Sequence, residues 1–215
     1  MAIKPKRTRI EDIRRTELVQ AAYRVFMLHG LGGMTTARIC AEAGMSPGIL
    51  AYYFKGKDEV LFGMVRHSNR VLVQDVVARL AQARTRWQRF EAIVEGNFPS
   101  VAFDRNIANA WVSVCAAAHT NANYAKLQTI FYRRMASNLA SVFHPVLKPE
   151  KVDDLSLATS TMIDGLWLRK AAGSPITRAQ SVTLVLTQIM AQISDAELTA
   201  LQQDLTATQN QVSAG

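Results

Sequence analysis

The sequence predicts an all-α fold of about nine helices, in which a three-helix head at the amino end precedes a larger helical body. Three observations carry that reading. Apolar residues recur at helical spacing along most of the chain, and no stretch alternates with the two-residue period of a strand. Between residues 35 and 54, two short segments with capping signals are joined by a tight glycine-containing turn.

Taken in order, residues 11–29 place Ile13, Leu18, Ala21, Ala22, Val25 and Phe26 along one face with charges opposite, a first helix that Gly30 ends. The second begins at Thr35 and Thr36, where a threonine can cap the N-terminus, and closes on Gly44, which can take the left-handed C-cap conformation. The third opens with Ser46 as N-cap and Pro47 at the first helical position, where a missing N–H costs nothing, and runs to Phe54. Residues 56–83 keep a helical period for many turns and connect head to body. Further helices are expected over 87–101, 107–118, 124–143, 152–172 and 177–193, punctuated by Pro99, residues 104–106, Thr120 and Asn121, Pro145, Pro149 and Gly173-Ser174-Pro175. The end of the chain is rich in Gln, Thr, Ala and Ser, and is either a frayed helix or disordered. The expected division is therefore a head over 1–56, a body over 57–195 and a flexible tail over 196–215.

With 49% apolar residues and a mean hydropathy of +0.02, the 215-residue chain can bury a substantial core. No apolar run reaches the roughly 18 residues of a membrane helix, and the first residues carry no hydrophobic secretory region, so a cytoplasmic location is expected. Cys40 and Cys115 stand far apart in apolar stretches and are expected as reduced core residues. His29, His67, His119 and His144 have no metal-ligand spacing. There is no glycine-rich phosphate loop and no nucleophile elbow, so an enzyme is excluded and no cofactor or metal is expected.

The net charge of +8 is unevenly distributed: residues 1–57 hold ten basic against four acidic side chains, leaving +2 for the rest. A basic end on a nearly neutral body suits phosphate binding through counterion release, although a solvated basic tail has the same composition. Two short helices across a tight turn are the helix-turn-helix pattern, whose second helix enters the major groove.

Residues 35–60 resemble the DNA-binding head of the tetracycline-repressor (TetR) family, through the threonine-led second helix, the turn at Ala43-Gly44, Ser46-Pro47-Gly48, Tyr52-Tyr53-Phe54 and Lys57. Within that family the chain is similar to the choline-responsive repressors of glycine-betaine synthesis, in Gly48-Ile49, Tyr53-Phe54, Glu95-Gly96-Asn97-Phe98, Ala110-Trp111 and the run from Ile163 through Asp164, Gly165, Leu166, Trp167 and Leu168 to Arg169. The resemblance implies a ligand-responsive transcriptional repressor, a homodimer paired through the helices at 152–172 and 177–193, binding a palindromic operator in double-stranded DNA. Its effector would be choline or another quaternary ammonium compound, or a drug-like cation, a nucleobase or an acyl compound. The rival is a non-specific architectural DNA-binding protein.

For the head, Thr35, Thr36 and Lys57 are the expected phosphate contacts, with Tyr52 offering a hydroxyl and a ring near the backbone. Ser46, Pro47, Gly48, Ile49 and Ala51 would approach the groove mainly through van der Waals contact with thymine methyls, helped by Arg38 or Tyr52. Thr35 equally reads as a cap, Lys57 as a solvated charge, and Tyr53 and Phe54 as head core. Residues 4–9 are either a minor-groove arm or a free tail. For the body, the candidate ligand-binding residues are Asn97, Phe98, Trp111, His119, Tyr132, Asp164 and Trp167. Trp111, Trp167 and Phe98 would cage a cation balanced by Asp164. Alternatively the tryptophans are packing residues, Asp164 pairs with Arg169 or caps a neighbouring helix, and His119 caps a helix C-terminus.

Overall fold

The computed structural model describes residues 6–100 and 102–203, except for the side chains of residues 6–9, 31, 57, 68, 69, 71 and 72. Among the described residues there are ten helices and no strand: α1 (Lys6–Gly33), α2 (Thr36–Ala43), α3 (Pro47–Tyr53), α4 (Lys57–Leu80), α5 (Arg86–Gly96), α6 (Arg105–Ala117), α7 (Ala122–Phe143), α8 (Pro149–Ala171), α9 (Arg178–Met190) and α10 (Asp195–Leu201). The expected all-α fold is the observed one. The extra helix, α10, occupies the beginning of the stretch expected to be a tail. A reciprocal capping box at Ser194 and Glu197 starts it, and Lys151 of α8 pairs with Glu197, holding that carboxyl down at about 2.

Local signals set the head. Gly30 sits inside α1 at φ 65° and ψ −177°, a region open almost only to glycine, and there the helix breaks. Thr35 accepts the Arg38 backbone N–H, and Gly44, at φ 63°, closes α2 by returning its N–H to Ala41. The apolar face of α1 is covered from Leu18 onward; Ile13, expected on that face, is half exposed. Leu18, Ala22, Met34, Ile39 and Phe54 form the head core with Val60 and Met64 of α4, so packing does not stop at residue 56, just before α4. Arg24–Glu42 and Arg15–Glu59 pairs tie α1 to α2 and α4. Cys40 is buried, as expected, whereas Cys115 is only partly buried.

The body packs α5 to α9 around Phe90, Phe98, Leu139, Phe143, Leu155, Ile163 and Ile189. Helix α5 ends at Gly96, earlier than residue 101. A Cβ there would lie 2.5 Å from the Val76 side chain and 3.1 Å from its Cα, so the missing side chain lets α4 and α5 approach closely. Helix α8 packs against α6, α7 and α9, and α6 also against α1.

Candidate functional site

Two regions carry the candidate residues. On α3, Leu50 is buried and anchors the helix, while Pro47, Gly48, Ile49, Ala51 and Tyr52 are exposed, as is Ser46 before them. Thr35, Thr36 and Arg38 are exposed at the start of α2. Thr35 does cap its helix, and Arg38 commits one guanidinium N–H to the Gly33 carbonyl at 2.9 Å, which stiffens it against the end of α1. Tyr52 is 65% exposed, donates its hydroxyl to Glu11 at 3.2 Å and meets Tyr53 edge to face. Phe54 is buried beneath the Arg15 guanidinium, 4.8 Å away, and Tyr53 is partly buried, in keeping with the core reading of both. Lys57 opens α4, but its side chain lies outside the described residues, as do the side chains of residues 6–9 and all of residues 4 and 5. Lys55, not singled out from the sequence, is an exposed cation directly after α3, its backbone N–H fixed by Glu59. Its position in the basic head was the one signal for it.

The second region is a cavity of about 290 Å³ enclosed by α1, α4, the end of α5, α6, α7 and α8. Of the seven candidate ligand residues, Asn97, Trp111, Asp164 and Trp167 line it. Phe98 is fully buried behind the wall, stacked on Trp167 with ring centres 6.5 Å apart. Tyr132 stands beside the cavity with its hydroxyl toward Asp164, an interaction that favours the ionised carboxylate. His119 is exposed beyond the end of α6, outside the lining. The remaining wall was not legible in the sequence: Tyr23 and Phe26 from α1, Met64 and Val65 from α4, Phe131 from α7. These come from segments far apart in the chain, and Tyr23, Phe26, Met64 and Val65 also pack in the head core.

Trp167 is held by an N–H to the Asn97 carbonyl at 3.0 Å and an edge contact with Phe103 at 5.0 Å. Trp111 meets Phe131 edge to face at 5.3 Å. Burial pushes the Asp164 carboxyl above the ordinary carboxylate range, partly opposed by the Tyr132 hydrogen bond. Burial and the neighbouring Asp164 charge raise Cys115 to about 11 and Tyr132 to about 12, so both stay protonated near neutrality. Among the described residues Asp164 interacts with Tyr132, and neither pairs with Arg169 nor caps a helix. Arg79 is the one cationic side chain among the described lining residues, and Asp75 and Glu95 both pair with it. The Asp164 side of the cavity therefore combines aromatic rings with a half-buried carboxylate that no cation among the described residues neutralises.

The amino-terminal part, residues 18–64, matches the family described as bacterial regulatory proteins, tetR family. Residues 86–194 match the BetI-type transcriptional repressor C-terminal domain, which spans half the chain. The chain belongs to the TetR family. TetR-family chains of the BetI type are transcriptional repressors and not enzymes, and this one is such a repressor. It is 33% identical to the HTH-type transcriptional regulator BetI of Brucella suis over 186 residues, covering 86% of this chain and 94% of that one. The regulator BetI of an Escherichia coli strain is 32% identical over 179 residues, covering 81% and 92%. A solved structure of a putative transcriptional regulator from Saccharomonospora viridis, in complex with choline, shares the fold with a TM-score of 0.69 at 21% identity, covering 82% of this chain and 94% of that one.

Proposed function

We propose that this TetR-family protein is a cytoplasmic homodimeric repressor whose exposed α2 and α3 residues bind a palindromic operator, and which is released when choline or a related quaternary ammonium ion enters the cavity. The carrying observation is Asp164, a half-buried carboxylate with no cationic partner among the described residues, in a cavity walled by Trp111, Phe131 and Trp167. Quaternary ammonium ions cannot donate hydrogen bonds and are held over aromatic faces, each contact contributing about 0.5 to 2 kcal/mol, with a carboxylate balancing the charge. An acyl anion would meet repulsion at that end. The choline held by the Saccharomonospora viridis neighbour points the same way.

The functional division would be a head over 1–56 and a sensing and pairing body over 57–195. Pairing through α8 and α9 is supported by their exposed apolar side chains Leu157, Leu168, Leu184 and Met190, which a second copy would cover. Two heads about one helical turn of DNA apart, roughly 34–36 Å or a multiple, would then read an inverted repeat. Effector binding releases the operator only by favouring the dimer state with wrongly spaced heads. Tyr23 and Phe26 of α1 and Met64 and Val65 of α4 line the cavity, so an occupant would touch the head's own helices.

A larger organic cation is the second reading, favoured by volume. The cavity of about 290 Å³ lies at the lower edge of the roughly 300–1,000 Å³ usual for small-molecule sites, which leaves room for a cation somewhat bulkier than choline. Calorimetric titration of choline and of bulkier trimethylammonium compounds, paired with operator release by fluorescence anisotropy, tests the proposal. Saturable binding and release by a member of that series is expected. Absence of both across the series would remove it.

A further inference from the structure

Between the cavity and the pairing helices runs a chain of charged groups centred on Glu95, near the C-terminal end of α5. Arg79, from the last turn of α4, donates Nη1 to the Glu95 carboxylate and Nε to Asp75 at 3.0 Å. Arg178, the first residue of α9, sends Nη2 to the same Glu95 oxygen at 3.4 Å and Nε to the Phe98 carbonyl at 2.6 Å. Asn97, between them in sequence, accepts from Trp167 of α8 and lines the cavity. Within four residues, the end of α5 is thus bonded to α4, α8 and α9, with Gly96 set so close to Val76 that α4 has little room to slide past it.

We propose that Glu95 and Arg178 are positioning residues that fix α4, and with it the head, relative to α9. The cavity wall at Asn97 then shares one rigid hub with both the head-bearing helix and the pairing helix. The part of this inference concerning effector response rests on the function proposed above; the part concerning head placement does not. All three charged side chains are about one-third exposed (Arg79 33%, Glu95 37%, Arg178 31%), so their pairs add little to stability. Their consequence lies in geometry: one carboxylate oxygen holds two guanidinium groups from helices with different tasks. Loosening the hub would broaden the distribution of head spacings, and a smaller fraction of dimers would match the operator.

The test uses the full-length protein and the variants Glu95→Gln, Arg178→Gln, their double and Glu95→Asp. Operator affinity without effector is read by anisotropy, choline affinity of DNA-free protein by calorimetry, and thermal midpoint by circular dichroism. Glu95→Gln is expected to weaken operator binding about fivefold or more, the lower range of site-to-site coupling, with a nearly unchanged midpoint. The double variant should be little worse than either single, and Glu95→Asp should recover part of the loss. Choline should bind the Glu95→Gln protein within about twofold of wild type while releasing operator less completely. Unchanged operator affinity in both singles, or strictly additive losses in the double, overturns the proposal. Should choline fail to bind wild type, the effector reading falls, and the operator-affinity cycle still decides the hub.

Discussion

The head and the body solve opposite packing problems. The head folds short helices onto α1 and packs their apolar side chains closely: Leu18, Met34 and Met64 are fully buried, and Phe54 nearly so. The body encloses about 290 Å³ of unfilled volume and keeps a carboxylate, Asp164, on its wall. A closely packed core makes a rigid reader, whereas a cavity with a half-buried carboxylate on its wall sacrifices stability for the ability to bind. The two regions are also not independent, because Phe26 and Met64 belong to the head core and line the cavity.

Substitutions can break or sharpen this contrast, and the largest effect is expected in the head. Phe54→Ala removes a buried ring with no room to collapse and should cost about 3–5 kcal/mol in chemical denaturation, with operator binding lost at ordinary temperatures. A loss below about 1 kcal/mol would mean the head is not the tightly filled unit described. Gly30→Ala forces a side chain into the strained backbone region at φ 65° and should cost about 1–3 kcal/mol, read as a lower denaturation midpoint. Thr35→Ala removes the N-cap of α2, for about 1 kcal/mol, and should weaken operator binding beyond that only if Thr35 also meets phosphate.

The smallest stability effect is expected in the body, with the opposite sign. The folded protein raises the Asp164 pKa, so it binds that proton more tightly than the unfolded chain does. Stability contributed by this group is therefore present at low pH and declines as pH rises from the unfolded value through the raised folded one. Asp164→Asn should leave the thermal midpoint at pH 7 unchanged or slightly higher, and should flatten this part of the pH dependence. Effector affinity should move the other way, falling in wild type as pH drops through the raised pKa, and lost in the variant at every pH. If Asp164→Asn unfolds the protein as Phe54→Ala does, the contrast between the two regions fails.

What was legible followed the same divide. The caps at Thr35 and Gly44, the proline at the start of α3 and the break at Gly30 are local signals, decided within a few residues of backbone and so readable in order along the chain; Ser46 holds the N-cap position of α3 without a side-chain capping hydrogen bond. Trp111, Asp164, Trp167 and Asn97 could be named as ligand candidates because a family resemblance pointed to them. Tyr23, Phe26 and Phe131 could not, since in sequence they look like any other packing residues on amphipathic helices. The helix at the beginning of the expected tail was hard to read for a related reason. Its composition reads as a tail, but Glu197 closes a capping box and meets Lys151 of α8, forty-six residues earlier, and α10 forms.

The sequence by itself determined the helical class, the reader motif, the concentration of positive charge on the head and the places where helices start and stop, because each depends on periodicity, capping or charge count over short distances. Only the tertiary structure decided where a cavity remains, that Tyr132 and not Arg169 faces Asp164, and that Glu95 gathers arginines from α4 and α9. Those outcomes depend on how helices distant in the chain stack against one another, and the burial that shifts a carboxyl or binds two guanidinium groups to one oxygen exists only after they have packed.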